Sequence, residues 1–225
     1  MIRIILLSIL SLFCFQANAQ KGLHVGGKFL PQSTWMFNND DSDNGAWKYV
    51  PTYRSAFGAS ISYHFMDGIG VGTDLLISRQ GQRFSVDTGT KIFARMDYMK
   101  IPLLLHLNSS TKSTTHFYFN IGPQIAMLRS AEWDVQHFTN TTLPMTDNYL
   151  RMNIGATLAL GAGFKITHFL NAHLGIRLDG SWQDVEDKSR PFWPANRAKT
   201  WHTTGAIDVG VSFIIHGKRD KLEGQ

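Results

Sequence analysis

The chain has 225 residues, 22 Lys+Arg against 17 Asp+Glu for a net charge of +5, and only 17% charged side chains, below the roughly 25% of ordinary soluble domains. Twenty glycines, 12% aromatics and a mean hydropathy of −0.14 exclude intrinsic disorder and a bundle of membrane-spanning helices alike. Such a composition is unusual for a cytosolic enzyme.

Along the chain, Met1-Ile2-Arg3 supplies a positive start, Ile4 to Phe15 an apolar run, and Ala17-Asn18-Ala19 a small-residue cleavage motif before Gln20. This order predicts a secretory signal peptide over 1–19, too short in its apolar part to span a bilayer as a helix. The single cysteine, Cys14, lies inside that leader. The exported chain therefore has no disulfide, no thiolate nucleophile and no Cys-based metal site.

Period-two alternation then recurs in segments of about ten residues. Strands are predicted over 23–32, 54–65, 69–80, 96–107 and 116–129. The three clearest cover 150–165, 170–182 and 201–216. In 170–182 the even positions are Leu170, Ala172, Leu174, Ile176, Leu178, Gly180 and Trp182, and the odd ones Asn171, His173, Gly175, Arg177, Asp179 and Ser181. One face of each strand is apolar; the other mixes Gly, small polar residues and charges of both signs. Connections alternate between short (Met66 to Gly68, Asn108 to Thr114, Thr167 to Phe169) and long (Ser33 to Tyr53, Arg83 to Ala94, Ala131 to Tyr149, Gln183 to Lys199). Together these features predict an all-β, eight-stranded antiparallel up-and-down transmembrane β-barrel with short periplasmic turns and long extracellular loops. It would occupy 20–216, followed by a polar C-terminal tail over 217–225, and its location would be the cell outer membrane.

With the apolar face turned to lipid, the charges predicted inside are Lys28, Arg54, Asp74, Lys100, Arg151, Lys165, Arg177, Asp179 and Asp208. An eight-stranded barrel is just wide enough for side chains to fill, so these are expected to pair and close the lumen. His24, His64, His106, His116, His173 and His216 share the inward parity near the periplasmic rim. Imidazole at a water-level rim is ordinary; its functional alternative is a titrating or metal-binding ring. Pro102 has inward parity too and is expected at a bulge or strand end, because it cannot donate to the ladder. Phe57, Tyr63, Phe65, Phe117, Trp182, Trp201 and Phe213 read as interfacial girdles, whereas Trp35, Trp47, Trp133 and Trp193 fall in the long connections.

Tyr98-Met99-Lys100-Ile101-Pro102-Leu103-Leu104-Leu105, Phe119-Asn120-Ile121-Gly122-Pro123-Gln124 and Asp67-Gly68-Ile69-Gly70-Val71 resemble strands and a turn of the PorT-like outer-membrane β-barrel family of Bacteroidetes-type bacteria. The resemblance implies an outer-membrane location, no known catalysis and, for the founding member, a part in a protein secretion system. Nucleotide, hydrolase-elbow and zinc-helix motifs are absent from the sequence, and no cofactor is expected. Ser181, Asp184 and His202 are the candidates for a rim hydrolase acting on lipid. The leading reading is a non-enzymatic barrel acting structurally or through partner contacts of its loops, with an accessory role in secretion as the alternative. The expected partners are outer-membrane lipid and lipopolysaccharide, with possible protein partners at loops or periplasmic turns and no nucleic acid.

Overall fold

A computed structural model describes residues 22–43, 47–66, 68–86, 89–109, 114–136, 140–194 and 196–215. The leader over 1–19, His216 and the tail lie outside the described residues. No described helix is long and apolar enough to cross a membrane; the crossing is made by strands.

The strands are β1 (Gly22–Phe37), β2 (Trp47–Val50), β3 (Thr52–Met66), β4 (Ile69–Val86), β5 (Lys91–Asn108), β6 (Thr115–Gln136), β7 (Asn140–Pro144), β8 (Met152–Lys165), β9 (Leu170–Ser181) and β10 (Trp201–Ile215). A single helical turn, α1 (Asn39–Asp43), and a 3-10 turn at Thr146–Asn148 sit in the connections. Eight strands form the ring in the antiparallel order β4-β3-β1-β10-β9-β8-β6-β5, closed by β5 against β4. The first and last staves meet through pairs such as Leu23 with Ile215. Closure leaves no free edge, which a β-structure in hydrocarbon requires. The short β2 and β7 lie outside the ring, paired to the upper ends of β4 and β6.

All eight predicted strands are staves of the ring, but three of the four long connections are shorter than the sequence implied. β1 continues to Phe37, β4 and β5 approach each other as far as Ser85 and Lys91, and β6 runs to Gln136. The staves thus rise beyond the bilayer on the side of the long loops. Pro102 is also not at a strand end. It lies mid-β5 on the inner face, opposite Gln124, and pairing with β6 lapses at the next two residues. The Thr73 hydroxyl donates to the Pro102 carbonyl at 2.7 Å, while the register shift between β5 and β6 falls opposite Asp97 and Tyr98, where Arg129 of β6 is the extra residue.

The outer face is apolar around the lower ring. Phe29, Leu75, Leu103, Leu174, Ile176, Leu178, Ile207 and Phe213 are each 50–63% exposed, a belt that only a lipid environment makes favourable. The girdle aromatics Tyr63, Phe65, Phe117, Trp182 and Trp201 are exposed as well.

Candidate functional site

The inner face is arranged in layers. At mid-height, inward positions of β1, β4, β5, β9 and β10 meet in one chain of ion pairs. Lys28 Nζ lies 3.1 Å from Asp74 and 3.8 Å from Asp208. Arg177 joins Asp74 through Nη1 and Asp179 through Nε, both at 2.8 Å, and Lys100 closes on the other oxygen of Asp179 at 2.9 Å. His173 Nε2 reaches Asp208 at 3.3 Å. Thr157 of β8 donates to Gln124 of β6 and sits 2.9 Å from Asp179. Three cations face three carboxylates, so the layer is balanced. Every member except His173 is buried, where an unmatched charge would cost several kcal/mol on the order given by ion desolvation.

Below this layer, toward the short turns, His24, His64, His106, His116 and His173 line one cavity with Asn108, Tyr118 and Asn120. The His24 and His64 rings stand 4.4 Å apart and those of His64 and His106 5.6 Å apart. Asn108 bonds His64 Nε2 at 3.2 Å. Among the described residues, no three His, Cys, Asp or Glu side chains are placed to hold a metal ion.

Above the charges comes an amide layer. Gln32 Nε2 donates to Ser78 and to the Arg79 carbonyl, Gln80 donates to Ser78, and Gln82 accepts from the Met36 amide. Higher still the inner face turns apolar. Met36, Phe84, Ile92, Met96, Tyr98, Leu128, Tyr149, Val185 and Trp193 pack into one buried cluster. The connection 182–200 roofs it. Arg197 holds that connection by bonding Asp41 through both terminal nitrogens and Glu186 through Nε at 2.8 Å, and its guanidinium lies over the Trp193 ring at 5.1 Å. Trp193 Nε1 donates to the Asn148 carbonyl. Burial drives the Glu186 carboxyl above its ordinary range, with its Arg197 partner opposing the shift.

The sequence profile of the family described as "Outer membrane protein beta-barrel domain" matches residues 16–182. The chain belongs to that family. This outer-membrane barrel resembles OprG of Pseudomonas aeruginosa, with 13% identity, a TM-score of 0.54, and 89% of this chain and 99% of that one covered. Neisserial surface protein A (11% identity, TM-score 0.44, 88% and 100% covered) and Ail of Yersinia pestis (10%, 0.46, 87% and 99%) are more distant. At such identities the likeness is one of fold. No curated protein matches the chain in sequence.

Of the nine charges expected inside the barrel, Lys28, Asp74, Lys100, Arg177, Asp179 and Asp208 form the mid-height layer. Arg151 does not belong to it. It precedes β8, is exposed and pairs with Asp147 at 2.7 Å, because the chain has left the ladder there and its charge can remain in water. Arg54 is half-buried at the upper end of β3 and joins no ion pair among the described residues; Lys165 ends β8 at the lower mouth, also half-buried. Trp35 and Trp133 are strand residues rather than loop residues, and Trp193 is buried in the roof. The side chain of Trp47 lies outside the described residues.

The rim-hydrolase candidates do not assemble. Ser181 Oγ accepts the backbone N–H of His202 at 3.0 Å, the His202 ring stacks on Tyr98 at 5.3 Å, and Asp184 accepts the amides of Glu186 and Thr200. Sequence reasoning missed the apolar roof. Its signal was there: at Ile92, Ala94, Met96 and Tyr98 the inward residues become apolar and the outward ones, Arg95 and Asp97, polar.

Proposed function

We propose that this barrel is a non-enzymatic integral protein of the outer membrane, closed within and acting structurally or through partner contacts of its extracellular loops. The observation that carries the reading is the ordered roof. Arg197 ties the 182–200 connection to α1, Trp193 is buried beneath it, and Phe192 and Leu143 of the β6–β7 hairpin are left exposed on top. An aromatic anchored on a rigid base suits recognition of a partner at low entropic cost. Export through a cleavable leader over 1–19 belongs to the same reading.

A photo-crosslinking amino acid at Phe192 or Leu143, compared with Ile166 in a short turn, tests it on intact cells. Protein adducts at the upper positions support loop recognition. Adducts confined to Ile166 support the second reading, an accessory component of a PorT-type secretion apparatus, which the Tyr98–Leu105 run favours. Co-purification with secretion components would separate that role further. Adducts at neither position leave the structural role.

A further inference from the structure

The ladder between β3 and β4 ends at Ala56 and Ser78, although both strands continue upward. β3 stays with β1 as far as Thr52, and β4 stays with β5. In the seam above, side chains replace the missing backbone bonds: Gln32 Nε2 takes the Arg79 carbonyl at 2.6 Å and the Thr52 hydroxyl takes that of Gly81. Gly81 has no side chain, and Arg54 crosses in front of it, its Nε 3.8 Å from where a Cβ would stand. The result is a cavity of about 250 Å³ whose charged lining is Arg54, Arg79, Arg95, Asp97 and Glu132.

We infer that this groove binds the phosphorylated sugar headgroup of outer-leaflet lipopolysaccharide. Three observations carry the assignment. Arg54 and Arg79 make no ion pair among the described residues, whereas Arg95 is joined to Asp134. Two uncommitted guanidiniums at one groove match the forked geometry of a phosphate. Asp97 and Glu132 stand in register with Arg79 and Arg95; they suit sugar hydroxyls, which donate, and disfavour a bare anion. The height is the third observation. On the outer face the last apolar residues below the groove are Phe57, Ile77, Met99 and Met127, and the next are charged or polar. The groove therefore opens where apolar wall gives way to polar wall on the side of the long loops, the level of outer-leaflet headgroups. It faces sideways into lipid rather than upward to a protein partner.

Retention of bis-phosphorylated lipid A and of its dephosphorylated form by the detergent-purified full chain, read by native mass spectrometry, tests the inference. The wild-type protein should retain the phosphorylated lipid about tenfold or more tightly, the scale of one or two charge-assisted hydrogen bonds. The double variant Arg54→Gln, Arg79→Gln should lose that preference while keeping heat-modifiable gel mobility, and Arg151→Gln should keep it. If the double variant does not fold, Arg79→Gln alone, at an exposed side chain, reads the same loss. Equal retention of the two lipids by the wild type, or an unaltered preference in the variants, overturns the assignment. Inorganic phosphate binding as tightly as lipid A would make this a free-phosphate site and overturn it too.

Discussion

Arg177 is the residue on which the lumen turns. Its position on β9 alternates with lipid-facing Ile176 and Leu178, so strand geometry alone sends it inward, and there its guanidinium is shared between Asp74 and Asp179. Arg177→Met would leave Asp74 and Asp179 with one lysine partner each, Lys28 and Lys100, and the layer with one unbalanced negative charge in a dry interior. It should cost about 3–5 kcal/mol, the penalty for breaking a buried pair from one side. Urea-induced loss of heat-modifiable gel mobility would measure it. Adding Asp179→Asn should recover part of the loss, since it restores the balance of the layer at two cations against two carboxylates. At the roof, Glu186 titrates above its usual range because burial outweighs its bond to Arg197. The sign follows from linkage. The folded state binds this proton more tightly than the unfolded state, so its contribution to stability is fully present below the ordinary carboxylate value and is lost as pH rises through the raised one. Glu186→Gln should abolish this component of pH dependence in the thermal midpoint of Trp fluorescence; an unchanged slope would refute it.

At the scale of the strand, the decisive feature is a change of phase that is not a change of parity. Inward residues of β5 read Lys100 within the membrane and Tyr98, Met96, Ala94 and Ile92 above it. Period two is kept throughout, while the chemistry of the two faces exchanges because the solvent outside changes from hydrocarbon to water. Sequence reading located all eight staves, with β3, β8, β9 and β10 at nearly full length. It took the upper ends of β1, β4, β5 and β6 for loops because the lipid-facing pattern stops there. Close packing between strands makes a second strand-level prediction. A Cβ on Gly122 would collide with the Leu103 carbonyl, in the stretch where β5 and β6 stop pairing beyond Pro102. Gly122→Ala should destabilise by about 1–3 kcal/mol through overpacking. An Ala at Gly89, whose added Cβ would meet nothing within 4 Å but whose φ is +80°, should act only through local strain at that turn. Unfolding midpoints of the two variants test the difference.

For the molecule as a whole, the lumen is closed twice over, by the ion-pair layer and by the apolar roof. The purified protein in a planar bilayer should show no open-channel steps. Removing Arg177 and the roof residue Trp193 together should admit ions, and conductance in the wild type would contradict a lumen closed at both layers. The lumen charges were legible as a set, because inward parity is a local property of a strand. Which of them pair was not, since Lys28 and Asp74 are 46 residues apart and Lys100 and Asp179 are 79 apart. Arg151 was misread for the same reason: parity says where a side chain would point if the strand continued, and not whether it does. His24, His64, His106, His116 and His173 were also legible as inward, but their gathering around one cavity depends on ring closure.

The sequence by itself determined that the chain is a closed antiparallel barrel with lipid outside, because alternation, glycine content and alternating connection length are all written residue by residue. It also determined that the interior charges must be numerous and of both signs. Only the tertiary structure decided that three cations and three carboxylates cancel, that the roof is apolar, and that β3 and β4 part to leave arginines uncommitted on the outer wall. Those outcomes depend on which strands become neighbours and at what register, and such distances are set when the ring closes.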